Sequence, residues 1–129
     1  MKTIEVVAAI IKKDDAILAT QRGYGDLKGG WEFPGGKLEP GETREEALAR
    51  EIREELAADI QIDQFLTTVD YQYDSFHLIM HCFVAHFCEG DYTLLEHSAA
   101  RWLTAETLDD VEWLPADTAV VEEIRKNVL

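Results

Sequence analysis

Cysteine, proline and positive charge are all scarce in this chain, and each shortage removes a class of protein. The two cysteines, Cys82 and Cys88, stand six apart in "HCFVAHFCEG". A small disulfide scaffold carries more, and zinc pairs usually sit two to four apart. Two reduced, mostly buried thiols are therefore expected, in a cytoplasmic protein. Lys and Arg total 12 against 26 Asp and Glu, for a formal net charge of -14. Such a chain lacks the basic face that DNA or an anionic membrane requires, so neither a nucleic-acid polymer nor a membrane is an expected partner. An anionic ligand would need a cation as intermediary. No apolar run approaches transmembrane length, and "MKTIEVVAAIIKKDD" is broken by Glu5 and closed by Lys12 and Lys13 before it reaches the length of a signal core.

What remains is ordinary for a globular core: 129 residues, 47% apolar and 29% charged, without repeat, low-complexity tract or linker. A single domain over residues 1–129 is expected, as a monomer or weak homodimer. "IEVVAAII" and "AILATQR" read as two strands joined by a polar turn, followed by the Gly-rich loop "GYGDLKGG". "WEFPGG" reads as a short extended piece stopped at Pro34, with Gly35 and Gly36 forming a tight turn that presents a helix. Thr43 and Glu46 make a capping-box pattern, and Ala47, Leu48, Ile52 and Leu56 recur at helical spacing. Residues 60–73 and 76–88 read as long strands, "AARWL" as a shorter one, and "PADTAVVEEIRKNVL" as a closing helix with Pro115 in its first turn. The mixed order predicts an α/β/α sandwich, with helices on both faces of a central mixed β-sheet.

The helix poses the chemical question. At about 100° per residue, Glu51, Glu54 and Glu55 share an arc of roughly 100° beside the apolar arc of Leu48, Ile52 and Leu56. Like charges so spaced repel by a few tenths of a kcal/mol per pair. One reading is a solvated face laced with pairs such as Arg50 and Glu54. The other is a divalent-metal site, since clustered hard oxygens suit Mg²⁺ or Mn²⁺.

The surrounding pattern favours the second. Gly36, Glu42, Arg50, Glu51, Ile52, Glu54 and Glu55 match G-xxxxx-E-xxxxxxx-R-E-U-x-E-E, which average composition would produce roughly once in a million windows or fewer. This box resembles the signature of the Nudix hydrolases, and "WEFPGGKLEPGE" and "RWLTAETL" with "LPAD" resemble the flanks of its MutT-type members. Where the family carries Gly and then an aliphatic residue, this chain has Ala57 and Ala58. Glycine there permits a left-handed helix end, so this helix is expected to run on a few residues.

The resemblance implies a divalent-metal-dependent hydrolase that converts a nucleoside triphosphate to a monophosphate and pyrophosphate, with Mg²⁺ or alternatively Mn²⁺ as cofactor and a role in cleansing the nucleotide pool. It implies metal ligands at Glu51, Glu54 and Glu55, with Gly36 and the loop acid Glu96 beside them. Glu51, Glu54 and Glu96 are also the catalytic candidates, together with Arg50, which would orient the carboxylates by forked hydrogen bonds. Substrate contacts fall on Arg22, Phe33, Gly35, Lys37 and Asp117. An ionised Asp117 only accepts hydrogen bonds and suits the cytosine amine of CTP. A buried, protonated one also donates and readmits 8-oxo-dGTP; a helix cap is its plainest role. Trp31 and Phe33 compete for a pocket position, and His77, His81 and His86 read as structural. Hydrolysis of ADP-ribose or a dinucleoside polyphosphate is the enzymatic alternative, and a Nudix-fold nucleotide sensor the non-enzymatic one.

Overall fold

The computed structural model describes residues 2–129. Its elements are β1 (Lys2–Lys13), β2 (Ala16–Gln21), β3 (Trp31–Glu32), β4 (Gly35–Lys37), α1 (Arg44–Leu56), β5 (Ile60–Gln72), β6 (Phe76–Phe87), β7 (Ala99–Thr104), a 3₁₀ turn (Leu108–Asp110) and α2 (Pro115–Asn127). One mixed sheet runs β3-β2-β1-β6-β5, with β4 on β1 and β7 on β2. The β1–β6 pairing is parallel, from Lys2 opposite Phe76 to Ile11 opposite Ala85, and β5 returns antiparallel along β6.

Strand alternation divides the core. Val7, Ala9 and Ile11 of β1 pack with Ala47, Leu48, Ile52 and Leu56 of α1. Ala8 and Ile10 face the other way, onto Val120, Val121 and Ile124 of α2. Because side chains on a strand point alternately up and down, β1 serves both layers, and the expected sandwich results.

Three local expectations need correction. Pro34 does not end the extended segment: its carbonyl accepts from the Ala9 amide at 2.8 Å, and the chain continues as β4, so Gly35 and Gly36 lie in a strand and not in a turn. The first helix does not run on. Ala57 adopts φ 52°, ψ 41°, the left-handed cap usually given to glycine, and its amide bonds Arg53 O. The amides of Thr93 and Leu95 take the carbonyls of Leu56 and Glu55 at 2.7 and 3.0 Å, two of the acceptors that a further turn would use. Tertiary capping thus outweighs the roughly 1 kcal/mol that a left-handed alanine costs. Finally, Cys82 is buried but Cys88 is exposed.

Candidate active site

The capping box forms as read: Thr43 Oγ1 accepts the Glu46 amide at 3.1 Å, and Glu46 Oε1 accepts the Thr43 amide at 2.8 Å. It fixes where α1 starts, and hence which face each glutamate occupies. From the second turn Arg50 reaches back along the helix. Its Nε and Nη2 fork onto Glu42 at 2.7 and 2.9 Å, Nη1 donates to Glu51 at 2.8 Å and Glu54 at 3.2 Å, and Nη2 also reaches Lys37 O at 3.0 Å. The fork therefore grips Glu42, outside the cluster, while one nitrogen touches both Glu51 and Glu54. With so many anionic partners, hydrogen bonding from Glu42 first, the Arg50 guanidinium holds its proton more firmly than usual.

The three helix acids differ. The Glu54 side chain is 55% exposed. Glu51 is half-buried, and burial is the main cause that raises its pKa. Glu55 is only 7% exposed and accepts the Gly35 amide at 3.0 Å. Burial first, then Glu51, Glu32 and Glu96, push its pKa up to about 8.

Gly35 and Gly36 explain how close the helix comes. A Cβ on Gly36 would collide with the Glu51 carboxylate, whereas one on Gly35 would strike the Val7 carbonyl and the Ala8 Cα. A carboxylate can swing aside; a paired strand cannot. Gly36→Ala is therefore expected to fold with a melting temperature near the wild type and to lose activity, by displacing Glu51. Gly35→Ala should lose roughly 2–4 kcal/mol of stability, because backbone must move. Equal melting losses in the two variants would contradict this division.

A cavity of about 440 Å³ opens between α1 and the sheet. Its lining contains Arg22, Phe33, Gly35, Gly36, Lys37, Glu51, Glu54, Glu55, Glu96 and Asp117, ten of the eleven site residues expected from the sequence, brought together from distant segments; Arg50 stands outside, as their clamp.

 Every site residue expected from the sequence except Arg50 thus borders one space. Trp31 packs into the core beside it, and Phe33, stacked on Trp113 at 4.7 Å, takes the lining position.

Asp117 is not a helix cap. Leu114 holds that place without a side-chain bond, and Asp117 sits in the first turn of α2, 4% exposed, accepting the Phe33 amide at 3.3 Å. Burial, and then Glu32, raise its pKa well above the usual carboxylate range.

Sequence reasoning missed two residues. Glu32 Oε1 accepts from Arg22 Nη2 at 2.8 Å and Nε at 3.3 Å, while its Oε2 stands 3.5 Å from His97 Nε2. Arg22 also lies over the Tyr24 ring, 5.8 Å from its centre. Nothing local in "WEF" or "LEHS" marks this pairing; only the fold brings residues 22, 32 and 97 together. The three structural histidines do find partners on β5 and β1: His77 with Asp70, His81 with Thr68 and Glu5, and His86 with Asp63.

Among the described residues, no three Asp, Glu, His or Cys side chains form a ready-made metal cage. Mg²⁺ does not ask for one, because it keeps several waters and takes one or two carboxylates together with substrate oxygens. Hard carboxylate oxygens whose proton affinity is raised by burial and then by neighbouring acids, Glu54 and Glu96 at Glu51 and Glu51 at Glu55, fit such an ion.

Known proteins resemble this chain in sequence and fold. The NUDIX domain family model matches residues 1–127. The CTP pyrophosphohydrolase of Escherichia coli K12 is 37% identical over 123 residues, covering 95% of this chain and 91% of the relative. The 8-oxo-dGTP diphosphatase of the same organism is 26% identical over 128 residues, covering 98% and 99%. The solution structure of the E. coli ORF135 protein superposes with TM-score 0.83 at 35% identity, covering 98% of this chain and 91% of that one. A family match along nearly the whole chain, with a relative this similar end to end, makes this protein a member of the NUDIX family and a Nudix hydrolase.

Proposed function

We propose that this chain, acting as one domain on the cytoplasmic nucleotide pool, hydrolyses (deoxy)nucleoside triphosphates to monophosphate and pyrophosphate with Mg²⁺ or Mn²⁺. The reading is carried by one observation: the cavity joins the acids of α1 and Glu96 to an apolar lining of Phe33, Leu78 and Met80 that ends at Asp117. Glu51, Glu54 and Glu55, with Glu96 and the Gly36 carbonyl, would hold the ion. When bound, it screens the polyphosphate and stabilises charge on the departing pyrophosphate. Arg22 binds a phosphate oxygen, Arg50 keeps Glu51 and Glu54 aimed, and Glu51 orients or deprotonates the attacking water. The Gly35 and Lys37 backbone lets substrate approach closely. Attack of that water breaks one phosphoanhydride P–O bond.

A neutral Asp117 both donates and accepts. It matches the N3 and N4 amine of cytosine, and equally the O6 and N1–H of an oxidised guanine, by a turn of the base. Two relatives named for CTP and for 8-oxo-dGTP are in keeping with that. Asparagine offers the same donor and acceptor, so Asp117→Asn should leave the CTP to 8-oxo-dGTP ratio of kcat/KM within about threefold, whereas Asp117→Ala should lower both by about 10–100-fold. A large ratio change in Asp117→Asn would mean that the acid works ionised.

The function itself is tested by incubating the protein with a nucleotide panel that includes ADP-ribose, with and without Mg²⁺. Magnesium-dependent release of pyrophosphate from triphosphates is expected. Release of AMP from ADP-ribose with inert triphosphates would support the alternative substrate class, and binding without turnover a sensor.

A further inference from the structure

His97 is the residue that the proposed mechanism leaves unused and the packing leaves unsatisfied. Its side chain is 4% exposed, and its Nδ1 is a buried polar atom without a hydrogen-bond partner among the described residues. Buried polar groups are nearly always paired, so an orphan kept inside a fold calls for a reason. The other ring nitrogen supplies one, since Nε2 faces Glu32 Oε2 at 3.5 Å while Arg22 occupies Glu32 Oε1.

The backbone on either side of His97 is fixed. Leu95 N–H donates to Glu55 O at 3.0 Å and Ser98 N–H to Gln21 O at 3.0 Å. Gly23 lies so close to the Glu96 carbonyl and the Ser98 amide that a Cβ there would stand 2.8 and 3.3 Å from them. Residues 95–98 are thereby fastened to the end of α1 and to the segment bearing Arg22. Glu96 faces the cavity, and His97 points inward to Glu32.

We propose that His97 is a positioning residue for substrate binding: through Glu32 it holds the Arg22 guanidinium at the cavity wall. This rests on the reading of Arg22 as a phosphate contact. Arg22 is itself one-third exposed and has a long, flexible stem, so a carboxylate anchored on only one side would let it wander. A carboxylate with a contact at each oxygen confines it.

The test uses the full chain and CTP at saturating Mg²⁺. Gln can place an amide donor where His Nε2 lies, whereas Asn is too short and Leu cannot donate. His97→Asn and His97→Leu should raise KM about tenfold with kcat changed less than about threefold, the loss of one polar contact on Glu32. His97→Gln should recover most of that KM. In an Arg22→Ala background the His97→Asn change should add nothing, because coupled residues do not act additively. Melting curves identify any variant that fails to fold, and the polar Asn and Gln variants carry the comparison if Leu does.

If Arg22→Ala raises KM but His97→Asn leaves it unchanged, or if the two effects simply add, the positioning role is overturned and the Arg22 reading stands. If Arg22→Ala itself leaves KM unchanged, the Arg22 reading fails and the proposal falls with it.

Discussion

Glu51→Gln is expected to lower kcat by about 10²–10⁴-fold while leaving the fold intact, the usual cost of losing a group that binds metal or activates water. The substitution preserves shape, so the Arg50 Nη1 contact at 2.8 Å persists through the amide oxygen. What disappears is a negative charge set against the Gly36 strand, inside the cavity, where partial burial already makes that charge costly. Near-normal turnover of the folded variant at saturating Mg²⁺ would remove Glu51 from the chemistry.

Glu55→Gln is expected to do the opposite to stability: to raise the melting temperature of the metal-free protein at pH 8 while removing most of its response to Mg²⁺. Folded Glu55 titrates at about 8, against an ordinary 4.5. Between those limits the folded state keeps a proton that the unfolded chain releases. The associated stability is complete below about pH 4.5 and is lost as pH rises to about 8. At about 1.4 kcal/mol per unit, and allowing for relaxation, the loss is on the order of 2–4 kcal/mol. Glutamine keeps the acceptor for the Gly35 amide and has no proton to lose, so roughly 6–15 °C should be regained in a chain this size. In the wild type an ion that binds only the folded cluster stabilises by mass action. Identical melting curves for the two proteins in chelator, with equal Mg²⁺ shifts, would show that Glu55 carries no such burden.

Local signals made much of this legible in advance. The capping box at Thr43, the apolar spacing of α1, the proline opening α2 and the alternation in β1 each depend on neighbours within a few residues, and each appears where the sequence puts it. Gly35 and Gly36 did not read correctly, because a turn and a tightly opposed strand use glycine for different reasons and the opposing residues, Val7 and Glu51, are remote in sequence. Ala57 misled for a similar cause: its left-handed cap is imposed by Thr93 and Leu95. Glu32 and His97 were invisible as a pair, since their meeting depends on β2 lying between β3 and β7. The raised pKa of Asp117 likewise comes from burial, which no single position in "LPAD" announces.

The parallel pairing of β1 with β6 also sets a timetable for synthesis. The box helix and its glycine strand are complete once residue 56 has left the ribosome, but β1 gains its parallel neighbour only when Phe76–Phe87 emerges. Until then the nascent chain carries its most acidic segment beside a strand with one bare edge, and closing so long a loop is slow compared with making a helix. A chain ending before Phe76 should accordingly show no cooperative melting transition, although every glutamate of the box is present in it.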